Sequence, residues 1–123
     1  MISNYIYIAL TIVFTVYGQI ILKWRLTQIG LTLPDEFLMK IKSLTLLIFD
    51  PFILSGFISA FLASLAWMAA MTKFELSTAY PFMALNFVLV FLIAVPLFDE
   101  IVSWQKILGT TLIILGTVLI AKA

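Results

Sequence analysis

The chain has 123 residues, 64% of them hydrophobic and 11% charged, with a formal net charge of +1. That balance lies outside the range of soluble domains and marks an integral membrane protein, whose first partner is lipid. The absence of cysteine and histidine excludes disulfide scaffolds, zinc sites, thiol nucleophiles and imidazole bases, and so small and scattered a charge excludes a nucleic-acid surface.

The charged residues separate four uncharged runs, each about the 20 residues of helix needed to span hydrocarbon. The expected fold is all-α: a single four-helix transmembrane bundle over residues 1–123, with a short interfacial amphipathic helix between helices one and two. Helix one is predicted over residues 2–22, with Tyr5, Tyr7 and then Trp24 near the interfaces where amphipathic rings settle. Its apolar run is too long, and lacks the basic flank, for a cleaved signal peptide, so it is expected to stay. The connector "PDEFLMKIKSLTLLIFD" opens with proline and two acids and continues with Phe37, Leu38, Ile41, Leu44, Thr45 and Ile48 at helical spacing. It reads as a helix lying on the membrane surface with Lys40 and Lys42 at its edge.

Pro51 suits a first-turn position, which starts helix two over residues 51–72. Ser55, Ser59, Ala63, Ala66 and Ala70 form one small-residue face along it, read as a close helix contact in preference to a substrate-lining face. The link "TKFELS" reverses direction, with Ser77 as the expected cap of helix three, residues 77–98. Pro81 removes an amide early in that helix and frees the carbonyl near Ser77, leaving room for a bend, a water or a bound polar group. Asp99 and Glu100 make the last turn before helix four, residues 103–121. There Gly109 and Gly116, two turns apart, share a stripe with Leu112 and Ile113. Four thin helices do not readily enclose a polar path, so this stripe is expected to join two chains.

With four spans, the first and third loops share a side and carry Lys23, Arg25, Lys40, Lys42 and Lys106, against Lys73 and Lys122 opposite. The positive-inside rule then puts both termini outside.

Asn4, Thr11, Thr15, Gly18 and Gln19 gather on one side of helix one, with Lys23 near the same edge. A polar stripe facing lipid is costly, so it faces protein or a wet cavity. Taken singly, Thr15 bonding back to its own helix and Gln19 bonding a neighbour explain these residues equally well. The whole stripe, ending in a cation, is better explained by a polar pathway. None of the four spans holds an Asp or Glu, which leaves no midplane carboxylate for a proton relay. Lys23 and Arg25 flank Trp24 and suit either a phosphate ligand or interfacial anchoring.

The stretch "YIYIALTIVFTVYGQIILKW" resembles the first helix of the small multidrug resistance family, and "FELSTAYPFMALNFVLVFLIAVPLFDE" with "GTTLIILGTVLI" resembles its third and fourth. Nearly the whole chain is covered except the connector over residues 26–49, which is longer than in that family. Aligning Gly18 and Lys23 with the family's glycine and lysine puts Thr15 where drug exporters carry their glutamate, which argues against antiport by that mechanism. The sequence is more similar to the small subunits of the 4-amino-4-deoxy-L-arabinose phosphoundecaprenol flippase, of the drug/metabolite transporter superfamily (EamA-like). It shares their "GQ" and lysine, here Gly18, Gln19 and Lys23, and their "AYP...LNFV", here Ala79, Tyr80, Pro81, Leu85, Asn86, Phe87 and Val88.

That resemblance implies an inner-membrane transporter, not an enzyme and without cofactor or metal, that moves a polyprenyl-phosphate-linked sugar between leaflets as a homodimer or heterodimer with a related four-helix subunit. Lys23 and Arg25 are the expected phosphate contacts, and Thr11, Thr15, Gly18, Gln19, Tyr80 and Asn86 the expected pathway. Gly109, Leu112, Ile113 and Gly116 are the expected dimer contact. The alternatives are an exporter of cations or metabolites, and a non-transporting scaffold subunit for a membrane glycosyltransferase.

Overall fold

The computed structural model describes residues 2–30 and 32–123. Its helices are α1 (Ile2–Ile29), α2 (Phe37–Leu47), α3 (Pro51–Met71), α4 (Leu76–Ala79), α5 (Leu85–Phe98) and α6 (Trp104–Lys122), with a 3₁₀ turn over Tyr80–Ala84 between α4 and α5. α1, α3, the Leu76–Phe98 stretch and α6 are long and apolar enough to cross a membrane, and the protein is a multi-pass integral membrane protein.

α1 runs seven residues beyond the expected boundary at Leu22. A charge ends the apolar run without ending the helix: Lys23 to Gln28 carry on the backbone bonding until Gly30, whose φ of +67° is the left-handed conformation that glycine adopts without strain. α2 forms as a separate short helix and buries none of its residues against the rest of the chain. At α3, Asp50 supplies the cap, its carboxylate accepting from the Phe52 and Ile53 amides at 3.0 and 3.3 Å, and Pro51 takes the first turn as expected.

The expected Ser77 cap is corrected. The helix starts one residue before it, at Leu76, with Glu75 in the cap position and no side-chain cap bond. The Glu75 carbonyl already accepts from the Thr78 and Ala79 amides, so Ser77 lies inside the first turn. The expected third helix is also not continuous. Pro81 cannot donate the bond that would carry α4 on, and the chain tightens into the 3₁₀ turn before resuming as α5. Asp99 closes α5 in a left-handed conformation, φ 52°, which a short polar side chain tolerates. The Ser103 hydroxyl caps α6 by accepting from the Lys106 amide at 3.2 Å.

α1 and α3 pack along most of their length, and α6 packs chiefly against α5 and the 3₁₀ turn. The small-residue face of α3 is a helix contact: Ser59, Ala63 and Ala70 are buried, and the Ser59 hydroxyl donates to the Phe14 carbonyl at 2.6 Å. A core of Ile8, Ile12, Val16, Ala70 and Ala79 ties α1 to the end of α3 and the start of the third span. Large apolar side chains such as Phe61, Leu92 and Leu119 stay exposed, which suits a surface solvated by acyl chains or a partner helix.

Candidate functional site: a groove between the first three spans

The break at Pro81 leaves a groove of about 930 Å³ between α1, α3 and the 3₁₀ turn. From α1 it is lined by Thr11, Thr15, Gly18 and Gln19, and from the third span by Tyr80 and Asn86. The structure therefore brings together all six residues expected along a pathway, and does so within a single chain. Asn4, at the start of the same stripe, is not among them.

Their states differ. Thr11 is 2% exposed and its hydroxyl donates back to the Tyr7 carbonyl at 2.8 Å, so it is satisfied within its own helix. Among the described residues the hydrogen bonds include no side-chain partner for Thr15 or Gln19, which leaves their hydroxyl and amide to the groove. Asn86 Oδ1 is buried without a hydrogen-bond partner, an acceptor that the chain itself does not satisfy. Gly18 faces the groove and also meets the backbone of α3 at Gly56. Trp67 of α3 packs edge-on to Tyr80 with ring centroids 6.2 Å apart, and Ser64 adds a hydroxyl to the lining. Neither was singled out by sequence pattern, although both lie within a turn of the small-residue face.

One turn beyond Gln19, the two expected phosphate contacts separate. Lys23 is exposed beside a second, smaller cleft. The Arg25 guanidinium is engaged by the Asp50 carboxylate, with Nε at 3.1 and 2.9 Å from its two oxygens and Nη2 at 2.9 Å, and it lies over the Phe52 ring at 5.0 Å. Arg25, foremost by hydrogen bonding to it, holds the Asp50 carboxyl below the usual carboxylate range, and the Ile53 and Phe52 amides add to the effect against partial burial. A phosphate at Arg25 has to compete with this pair. Gly109 and Gly116 face open space within the chain, an added Cβ meeting nothing within 4 Å, and Leu112 is exposed while Ile113 is half-buried.

A groove lined by hydroxyl and amide side chains, with no acidic residue among those that line it, inside an apolar four-span bundle is the arrangement of a membrane transporter. Comparison with known proteins narrows the class. The chain is 34% identical over 120 residues, 96% of its length and 79% of the relative's, to a protein of Aeromonas hydrophila named as a probable 4-amino-4-deoxy-L-arabinose-phosphoundecaprenol flippase subunit ArnF. It is 34% identical over 110 residues to the ArnF protein of Erwinia tasmaniensis, covering 84% of this chain and 82% of that one. It is 31% identical over 113 residues to an ArnE protein of Pseudomonas aeruginosa, covering 92% of each. No family model matches the chain, and no solved structure matches it. The chain belongs to the ArnE/ArnF family of flippase subunits.

Proposed function

We propose that this protein is one subunit of a flippase that carries a polyprenyl-phosphate-linked amino sugar across the inner membrane, with the head group passing along the α1–α3 groove. The observation that carries this reading is the convergence of Thr15, Gln19, Tyr80 and Asn86 on one groove, with the Asn86 acceptor unpartnered. A lipid tail remains in the acyl phase while only its phosphate and sugar need polar surroundings, which removes the prohibitive step of drawing an anion through bare hydrocarbon. Lys23 receives the phosphate, with Arg25 entering only when it exchanges Asp50 for the ligand. The hydroxyls and amides of the groove replace water around the sugar.

The charge asymmetry of the loops supports cytoplasmic entry at the Lys23 end, with both termini outside and α2 lying in the cytoplasmic interface. The open stripe of Gly109, Leu112, Ile113 and Gly116 supports pairing with a second, related four-helix subunit. Liposomes containing the chain, alone and with such a subunit, test the reading. Labelled lipid-linked amino sugar becomes accessible on the far leaflet at a rate above that of protein-free vesicles. Proton-driven uptake of an organic cation without lipid movement would instead identify an exporter and overturn it.

A further inference from the structure

The second cleft has about 420 Å³ and lies where the end of α1 passes the end of α5, within the size range of small-ligand sites. Lys23, Trp24, Thr27 and Gln28 line it from α1, and Asp99 and Glu100 line it from the turn after α5. It lies one turn further along α1 than the groove: Gln19 lines the groove and Lys23, four residues on and on the same helix face, lines the cleft. Lys23, Asp99 and Glu100 are all exposed, and none of them forms an ion pair among the described residues, where the pair present joins Arg25 to Asp50. This cleft thus holds one cation and two carboxylates, none of them ion-paired among the described residues.

This charge set discriminates. A phosphate-only ligand is drawn to Lys23 and repelled by the two carboxylates, and a purely cationic ligand meets the reverse conflict. A head group carrying an anion and a cation a few bonds apart satisfies both sides. We propose, resting on the flippase reading above, that this cleft selects a zwitterionic lipid head group: Lys23 takes the phosphate, and Asp99 and Glu100 take the protonated amine of the sugar. Thr27 and Gln28 supply neutral hydrogen bonds to sugar hydroxyls, and Trp24 gives an apolar wall. Asp99 and Glu100 are then specificity residues that read the amine before the head group enters the groove, whose own lining carries no charge.

The test uses the full chain in nanodiscs and two probes, undecaprenyl phosphate linked to 4-amino-4-deoxy-arabinose and the same lipid linked to arabinose, with a hydroxyl in place of the amine. The unaltered chain retains the amino lipid on the order of tenfold more tightly, the scale of one charge-assisted hydrogen bond. Asp99→Asn combined with Glu100→Gln removes that preference, and Lys23→Gln weakens both lipids together. Asparagine tolerates the left-handed position, and near-unchanged helical circular dichroism verifies the fold of each variant. Equal binding of the two lipids by the unaltered chain, or a preference that survives both acidic substitutions, overturns the proposal while leaving the flippase reading intact. Failure to bind or move either lipid overturns both.

Discussion

Gly18 of α1 and Gly56 of α3 meet backbone to backbone: a Cβ built on Gly18 would lie 3.1 Å from the Gly56 carbonyl oxygen, and one on Gly56 would lie 2.9 Å from Ile21 Cγ2. Alanine in a helix gains up to about 1 kcal/mol over glycine, but overpacking a close contact costs about 1–3 kcal/mol. Gly18→Ala presses on a carbonyl that cannot rotate away, and Gly56→Ala on a stiff β-branched side chain. Both variants therefore lose stability, by about 1 kcal/mol, in thermal unfolding in detergent. Gly109→Ala and Gly116→Ala, which meet nothing within 4 Å, hold or gain stability in the isolated chain. Any loss with them then appears in subunit pairing, read by crosslinking.

Asn86 separates folding from transport. Its Oδ1 is buried and unpartnered, and an unsatisfied buried polar group costs about 1–3 kcal/mol. Asn86→Leu relieves that cost, so its midpoint of thermal unfolding stays level or rises. Lipid movement in liposomes falls with the same substitution, because the acceptor that meets the head group is gone. A variant that is both stable and fully active removes Asn86 from the pathway.

The α1 side of the groove is legible in the sequence because helical periodicity alone aligns Thr11, Thr15, Gly18 and Gln19. Tyr80 and Asn86 are legible through resemblance, since no local period carries a residue from the third span to the first. Two features escape sequence pattern for physical reasons. The end of α1 follows backbone bonding that charge does not interrupt, so hydropathy places it too early. The pairing of Arg25 with Asp50 spans 25 positions and arises only when α1 and α3 pack, so the loop charge that counts toward orientation is in part already matched. The groove forms inside one chain because the turn at Pro81 sets Tyr80 and Asn86 across from α1, a displacement that a continuous helix does not produce.

Asp50 joins two tasks, capping α3 and holding Arg25. Asp50→Ala loses the α3 cap and lowers the unfolding midpoint, and a double-mutant cycle with Arg25→Ala isolates a pair term that is the smaller part of the loss, because both side chains remain partly exposed. The sign of the pH dependence follows from the lowered Asp50 pKa. The stabilisation is fully present above the ordinary carboxylate range and is lost as pH falls through the lowered folded-state value. Unfolding midpoints compared between the unaltered chain and Asp50→Asn should converge only under that acid condition, and a difference that shrinks near neutrality contradicts the assignment.

Pro81 sets the groove's third wall. Without an amide it cannot extend α4, and the Tyr80–Ala84 segment takes the tighter turn, against which the Thr117 hydroxyl of α6 sits 3.4 Å from the Pro81 carbonyl while donating to Ile113 at 2.8 Å. Pro81→Ala restores a donor and removes the ring, which favours a continuous helix by some part of the ~3 kcal/mol separating proline from alanine in a helix interior. The midpoint of thermal unfolding rises accordingly. Straightening the segment rotates Tyr80 and Asn86 away from Thr15 and Gln19, so lipid movement drops although the protein is more stable. A stabilised Pro81→Ala protein that moves lipid at the original rate would show that the turn shapes the bundle without shaping the path.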